Sequence, residues 1–318
     1  MHMPKGKSAK GTAKKQQKNW AKIVIPVLLV VVVFGLIFAS GITKPNNFSN
    51  PSPGEKPFNN IADGLRLLPT NLSSARYADL KADHVLSQLL YSNVYLAQTI
   101  PPSRIFGADP QRDMLAIYPP GYFGDFKEQY VSLTSFGSAR INSSYTAYDV
   151  NGQIVERVNP RYSYTLNLKP VISGRIENIA KVLESSGNES AYGEYSDLFD
   201  ELKWKQISTD NATLEMVGKS CSYRSADRYY AALWPADPKN TSQDRQYSYV
   251  AIIHVNHTLS DIEYADLASY GASMLKYGFN YYNVQVYDDY IVIEAGGSIE
   301  VCMDDALNRW SFIKYELS

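Results

Sequence analysis

The chain has 318 residues, 31 basic and 32 acidic, and a formal charge of −1. This balance averages two unlike parts, because seven lysines and no acidic residue lie in the first 22 positions. The remainder holds 24 basic residues against the 32 acidic ones, a net charge of about −8. That negative charge argues against nucleic acid as a partner of residues 43–318.

Residues 23–42 are twenty consecutive residues without a charge. As a helix rising about 1.5 Å per residue they span about 30 Å, the thickness of a bilayer's hydrocarbon core. A signal-peptide core is shorter, about 7–15 residues, although the small residues at 39–41 suit a cleavage site. We expect a retained transmembrane helix, with a cleaved signal peptide or a buried soluble helix as the alternatives.

The lysines of residues 1–22 precede this helix and set its orientation. The positive-inside rule places the N-terminus in the cytoplasm and residues 43–318 outside, so we expect a single-pass protein of the plasma membrane. The tail has little apolar surface to bury, which favours disorder. We interpret it as a topology determinant that touches lipid phosphates, and dedicated binding of nucleic acid or anionic lipid is the alternative.

Residues 43–60 contain four prolines and five asparagines and predict an extended stalk. A region of 61–172 follows. It opens with a strand at 75–80 and a helix at 83–98, and further strands are predicted in "DMLAIYPP" and "YVSLTSF". Asn151-Gly152 is flanked by alternating residues and predicts a hairpin with a type I′ turn. The stretch "RYSYTLNL" adds a strand beside that hairpin.

A second region, 173–318, begins with helices near 176–183 and 192–202. The strand "YSYVAIIHV" comes next, and Ser260 with Glu263 forms a capping box for a helix that ends at Gly278. The apolar residues of that helix recur on one face, which we expect to be buried: Ile262, Ala265, Ala268, Ala272 and Leu275. A hairpin across Asp288-Asp289 and a last helix at 298–313 complete the chain.

This order of elements predicts an α+β exterior with helices packed on antiparallel sheets. Strand, helix, strand, strand and helix is the split β-α-β order of a ferredoxin-like half, which we assign to the C-terminal region. The stretch "LLPTNLSSARYADL", residues 67–80, resembles the strand that opens the domain of some prokaryotic membrane-anchored extracytoplasmic proteins, most of them uncharacterised. The resemblance covers about fifteen residues and implies no catalytic residue.

Seven Asn-x-Ser/Thr sequons follow the anchor and predict a glycosylated exterior. The alternative is an Asn- and Ser-rich loop composition that forms sequons by accident. The sequon asparagines are Asn47, Asn71, Asn142, Asn188, Asn211, Asn240 and Asn256.

The chain has two cysteines, Cys221 and Cys302, and both belong to the predicted exterior. An even pair in an oxidising compartment predicts one disulfide bond. Two buried free thiols are the alternative. A redox-active pair is disfavoured because the chain has no Cys-x-x-Cys sequence.

The stretch "HVNHTLSDIE" offers four residues that could in principle bind a metal: His254, His257, Asp261 and Glu263. Their spacing matches no standard zinc pattern, and His257 lies within the sequon of Asn256. We therefore favour a strand histidine followed by an exposed loop histidine. We expect neither a metal nor a cofactor.

Motifs of hydrolytic enzymes are weak in this sequence. Ser-x-x-Lys occurs twice without its companion motifs, and the adjacent pairs Asp288-Asp289 and Asp304-Asp305 are typical of a turn and a helix start. A glycosidase needs two carboxyl groups that face each other, which spacing along the chain does not reveal. The sequence therefore predicts no catalytic residue.

Tyrosine is unusually abundant, with 25 residues. In "YGFNYYNVQVYDDY", the side chains of Tyr281, Asn283, Gln285 and Tyr287 share one face of a predicted strand. Half-buried sheet aromatics are the plain explanation, and a binding face is the functional one, because tyrosine combines apolar area with a polar tip.

These observations predict a membrane-anchored extracytoplasmic protein that binds or assembles with another membrane or envelope protein, besides the lipid bilayer. An extracytoplasmic hydrolase acting on envelope material is the first alternative. A ligand-sensing domain is the second, disfavoured because a cytoplasmic tail of about 22 residues is too short for a signalling module.

Overall fold

A computed structural model describes residues 56–92, 106–137, 145–185, 189–219 and 226–308, without the side chains at 91, 92, 307 and 308. All of them belong to one compact unit. The predicted cytoplasmic tail, the transmembrane helix and most of the stalk lie outside these residues. Within them, each helix is too short or too polar to cross a bilayer.

The described residues form a mixed α+β fold dominated by one large antiparallel sheet. Six α-helices and two short 3₁₀ helices, Ala191–Glu194 and Leu275–Tyr277, accompany twelve strands in this part of the chain. The α-helices are α1 (Ile61–Leu65), α2 (His84–Ser92), α3 (Ile176–Glu184), α4 (Ser196–Trp204), α5 (Asp261–Met274) and α6 (Ile299–Asn308). The strands are β1 (Ser74–Asp79), β2 (Arg112–Ile117), β3 (Tyr130–Ser135), β4 (Thr146–Val150), β5 (Gln153–Asn159), β6 (Tyr162–Thr165), β7 (Val171–Gly174), β8 (Leu214–Gly218), β9 (Ala226–Pro235), β10 (Tyr247–Val255), β11 (Tyr281–Tyr287) and β12 (Tyr290–Gly297).

All twelve strands join one sheet in the order β11-β12-β10-β9-β8-β1-β2-β3-β7-β6-β5-β4. Every neighbouring pair is antiparallel. Strands β11 and β4 are the two edges. The pairing of β1 with β8 joins the two regions predicted to divide near residue 172, and their division into separate folding units stays a prediction.

Helices cover both faces of the sheet and define two hydrophobic clusters. Under α2, α5 and α6 lies one cluster, which includes Leu86, Ile253 and Cys302. Under α1, α3 and α4 lies the other, which includes Leu198 and Ile252. Ile252 and Ile253 are neighbours on β10 and belong to opposite clusters, because successive side chains of a strand point to opposite faces.

Local sequence signals confirm several predicted elements. Asn151 and Gly152 both have positive φ, 52° and 76°, as a type I′ turn requires between β4 and β5. Ser260 and Glu263 form the predicted capping box at the start of α5. Gly278 ends the following 3₁₀ turn with φ of 103°, a left-handed conformation that glycine adopts without steric cost.

The predicted buried face of α5 is wrong. Ile262 is 74% exposed and Leu275 is 50% exposed, and the three alanines of that face are exposed as well. The helix instead packs inward through Tyr270, Gly271 and Met274, together with the partly buried Leu267. A second difference is that β7, β8 and β9 had no predicted counterpart.

Strands β10 and β11 both pair with β12, which lies between them in the sheet. Because both pairings are antiparallel, β10 and β11 run parallel to each other. Helix α5 connects them and packs on β11. The C-terminal part therefore contains a β-α-β connection with a third strand inserted between its two strands.

Candidate functional site

The four residues of the predicted binding face lie on β11, the outermost strand at one end of the sheet. Tyr281 and Asn283 are exposed, and Gln285 and Tyr287 are half-buried. Tyr282 points to the opposite face and is buried. The structure therefore places the four side chains on one face, and their role in binding stays a prediction.

The C-terminal end of α4 extends this face. Trp204, the last residue of the helix, is 71% exposed. The Lys205 Nζ lies 3.6 Å from the Trp204 ring and 3.2 Å from the centroid of the Tyr287 ring. Glu201 Oε1 lies 3.5 Å from the same Nζ. This ammonium group connects α4 to β11 by cation–π contacts and holds Trp204 near Tyr287.

Strand β12 supplies the floor of the face. Gly296 lies opposite Tyr281, and a Cβ atom at Gly296 would lie 2.4 Å from Tyr281 Cε1. The tyrosine ring therefore lies across the glycine backbone, a position that a larger residue would block. Glu294, opposite Asn283, is exposed. Trp234 on β9 is half-buried in the same cross-strand row as Tyr281.

We call these side chains the aromatic face: Trp204, Trp234, Tyr281, Asn283, Gln285, Tyr287 and Glu294. The face combines large rings with amide groups and one exposed carboxylate. Tyrosine and tryptophan supply contact area at little conformational-entropy cost, and amides add adaptable hydrogen bonds. Such a surface suits a protein or sugar ligand. Sequence alternation predicts the β11 members, but the contributions of α4 and β9 depend on long-range packing.

A second polar cluster surrounds His254 on β10. Its Nδ1 lies 2.6 Å from Asp227 Oδ1, and its Nε2 lies 3.4 Å from Asp289 Oδ2. The Tyr290 ring packs edge-on against the imidazole. Both ring nitrogens therefore face a carboxylate.

The other residues of the proposed metal set have different partners. His257 Nε2 lies 3.0 Å from Glu263 Oε1, and Glu263 accepts hydrogen bonds from the backbone N–H and hydroxyl of Ser260. These Ser260 bonds lower the pKa of Glu263 to about 2. The described residues contain no group of three or more His, Cys, Asp or Glu side chains placed to hold a metal.

Cys302 is a buried thiol on α6, and burial raises its pKa to about 12. A thiol with a raised pKa and no exposure is a poor nucleophile. Cys221 lies outside the described residues, so the predicted disulfide stays a prediction.

Four of the seven sequon asparagines are within the described residues, and all four are exposed: Asn71, Asn211, Asn240 and Asn256. Exposure is what glycan attachment requires. Asn47, Asn142 and Asn188 lie outside the described residues. Glycosylation stays a prediction at all seven positions.

Asp83 and Arg245 form a buried ion pair that the sequence does not reveal. Asp83 Oδ1 also accepts the Leu86 backbone N–H at 2.9 Å and so caps α2. The Tyr247 hydroxyl lies 3.0 Å from Asp83 Oδ2. Because 162 residues separate the two charges, no local pattern indicates the pair. It ties α2 to β10 and acts in stability.

Glu215 on β8 is a second buried acidic residue, and its partners come from distant elements. Its Oε2 accepts the Ile61 backbone N–H at 2.9 Å, at the start of α1, and its Oε1 accepts the Tyr230 hydroxyl at 2.8 Å. Burial raises the pKa of Glu215 to about 7, against the opposing effect of these two bonds. The group therefore titrates near neutral pH.

Comparisons with known proteins assign no class. No protein-family model matches the sequence, and no curated protein matches it. A solved structure, the crystal form I structure of TP0453, is similar with a TM-score of 0.46 and 9% sequence identity, over 77% of this chain and 97% of that chain.

Proposed function

We propose that the chain is a membrane-anchored extracytoplasmic protein that binds another membrane or envelope protein through the aromatic face. The anchor is the uncharged run of residues 23–42, and the basic tail remains in the cytoplasm. The C-terminal part is a ferredoxin-like unit in this proposal, supported by the insertion of β12 between β10 and β11.

The observation that carries the binding role is the exposure of Trp204 and Tyr281 on one surface. Trp204 is 71% exposed and Tyr281 is 49% exposed. Lys205 fixes the position of Trp204 and Gly296 accommodates the ring of Tyr281. Large rings held in place while exposed resemble the pre-organised anchors of protein interfaces, where tryptophan and tyrosine are enriched among residues that dominate affinity.

The test is purification of the tagged full-length protein in mild detergent from its native membranes, with quantitative mass spectrometry. We expect a membrane or envelope protein in stoichiometric amount, recovered again when that partner carries the tag. Trp204→Ala should lower the recovery of the partner protein at least about tenfold, because aromatic residues that anchor an interface contribute about 2 kcal/mol or more to the binding free energy.

The matched control is Tyr148→Ala, which removes an exposed ring from β4 at the other edge of the sheet. It should leave recovery unchanged. Equal loss in both variants, or recovery unaffected by Trp204→Ala, would reject the aromatic face as the binding surface.

A hydrolase of envelope material is the second candidate, supported by His254 between Asp227 and Asp289. In a histidine general base one ring nitrogen is oriented by a carboxylate and the other takes the substrate's proton; here Asp227 would orient Nδ1, and a substrate would displace Asp289 from its longer, 3.4 Å contact with Nε2. The full-length protein should then degrade isolated envelope polymers, and His254→Gln should abolish that activity. Degradation that persists unchanged in His254→Gln would remove this cluster from consideration.

A further inference from the structure

Two surfaces at the β11 edge of the sheet adjoin each other, and no described residue covers either of them. Strand β11 pairs with β12 on one side, and no described strand lies on its other side. Its sequence, "YYNVQVY", has no charge and no proline. Natural edge strands usually carry charged residues or prolines, which prevent pairing with another chain. This edge lacks that protection over seven residues.

The second surface lies on α5 and on the first residue of the 3₁₀ helix that follows it, and it consists of exposed apolar residues: Ile262, Ala265, Ala268, Ala272 and Leu275. Gly271 packs on β11, because a Cβ atom added at this glycine would lie 3.2 Å from Val284 Cγ2. Successive helical residues differ by about 100°, so Tyr270 lies on one flank of Gly271 and Ala272 lies on the other. Tyr270 packs into the core. The flank that carries Ala272 therefore faces beyond the edge of the sheet.

We propose that two copies of this chain associate through this edge, with β11 paired to β11 and α5 packed on α5 across a two-fold axis. A two-fold interface requires a surface that complements itself, so that each contact occurs twice. Both elements satisfy this requirement.

Antiparallel pairing of β11 centred on Val284 places each residue opposite a compatible one of the second copy. Asn283 lies opposite Gln285, so that two amides meet. Tyr281 lies opposite Tyr287, and Tyr282 opposite Val286, which are favourable aromatic and aromatic–β-branched pairs. No pairing opposes two like charges. The sequence of β11 is thus close to symmetric about its central valine.

Antiparallel packing of α5 gives the same result. It places Ala265 opposite Ala272 of the second copy, where small side chains permit close approach of the helices. Asp261 then lies near Lys276 of the second copy. Both charged residues are exposed, and neither forms an ion pair within the described residues. The helix supplies complementary charges at the ends of its apolar face.

A lipid surface is the competing occupant of α5, and charge disfavours it. The helix and its cap region expose Asp261 and Asp266, and Glu263 is half-buried beside them. Anionic headgroups repel such a helix, whereas interfacial helices are rich in lysine and arginine. A second copy would also pair its own β11 with this edge strand, whereas a membrane offers no strand for such pairing.

The test is sedimentation equilibrium of the full-length protein in density-matched detergent. We expect a protein mass twice that of the 35.7 kDa chain. Ala265→Glu with Ala272→Glu places like charges opposite each other twice, and should weaken association at least about a hundredfold. Both positions are exposed in a single copy, so folding should be preserved.

Mixing provides the control for charge complementarity. Ala265→Lys with Ala272→Lys should also be monomeric, and an equimolar mixture of the two double variants should recover the dimer. Trp204→Ala should remain dimeric, which separates this interface from the proposed binding function. A monomeric wild-type protein, or a dimer that persists in the glutamate variant, would overturn the proposal. The latter result would point to association through residues 23–42.

A disulfide tests the register of the strands. Val284→Cys lies on the proposed axis, and directly opposed residues of antiparallel strands have Cα atoms about 4.5–5.5 Å apart, within reach of a disulfide bond. Mild oxidation should give a covalent dimer that a reductant reverses. Tyr148→Cys on the other edge strand should not exceed the wild type. Equal crosslinking at both positions would reject the pairing of β11.

Discussion

At the scale of single residues, Glu215 is the group whose ionisation should most affect stability. It is buried and accepts bonds from Ile61 and Tyr230, and burial raises its pKa to about 7. The unfolded chain releases this proton near pH 4.5. Between these two values the folded protein holds a proton that the unfolded chain lacks, so the free energy of unfolding decreases as pH rises.

The variant Glu215→Gln should remove this dependence while preserving the shape of the side chain. Between pH 5 and pH 8 the wild-type protein should lose about 2–3 kcal/mol of stability relative to the variant. Denaturant unfolding of the full-length proteins at both pH values measures the difference. Asp113 and Asp305 also have pKa values raised to about 6 by burial, and their effects cancel in the comparison.

The exposed Glu294→Gln is the control and should follow the wild type at both pH values. Identical pH dependence in wild type and Glu215→Gln would mean that the buried carboxyl group is not protonated near pH 7. Its hydrogen bonds to α1 would then be those of a carboxylate.

At the scale of elements, α5 depends on its N-terminal cap because little of the helix is buried. The Ser260 hydroxyl accepts the Glu263 backbone N–H, and the Glu263 carboxylate accepts the Ser260 N–H. Ser260→Ala removes the hydroxyl and should cost about 1 kcal/mol. Hydrogen exchange should accelerate in α5, with a smaller change in β10 and β12.

Ser190 provides a matched control for this prediction. It precedes a 3₁₀ helix and forms no side-chain cap bond. Ser190→Ala should therefore leave exchange in the following segment unchanged. Faster exchange in Ser190→Ala but not in Ser260→Ala would contradict the role of the capping box.

Elements with a local cause were predictable from the sequence. The hairpin at Asn151-Gly152, the cap at Ser260 and the helix end at Gly278 each depend on residues a few positions apart. Strand β8 was not predicted, because its neighbours β1 and β9 decide its place in the sheet. The same reason hides the ion pair of Asp83 with Arg245.

The face of α5 illustrates a different limit. A repeat of apolar residues every three or four positions indicates an apolar face but not what covers it. The repeat predicts a buried face at Ile262 and Leu275, whereas Tyr270 and Met274 are the residues that contact the core. A second copy that covers this face would explain why its apolar residues are exposed in the single chain. Alternation similarly predicts the β11 members of the aromatic face, and long-range packing adds Trp204.

At the scale of the whole molecule, the aromatic face and the proposed two-fold interface both lie at the β11 end of the sheet, but they face different directions. The aromatic face looks away from α5, on the side of the sheet that α4 covers. The proposed two-fold axis lies beyond the edge of β11. Pairing of two copies would therefore place two aromatic faces side by side on one continuous sheet. Such an arrangement would bind a repeated or two-fold partner with increased avidity.

The aromatic face should contact a partner protein in the native membrane. The most direct measurement is photo-crosslinking with p-benzoylphenylalanine at position 204, compared with position 148 on β4. We predict one dominant crosslinked partner from position 204, identified by mass spectrometry as a membrane or envelope protein, and none from position 148. Equal crosslinking from both positions, or crosslinks from position 204 to many unrelated proteins, would contradict binding of a specific partner through the aromatic face.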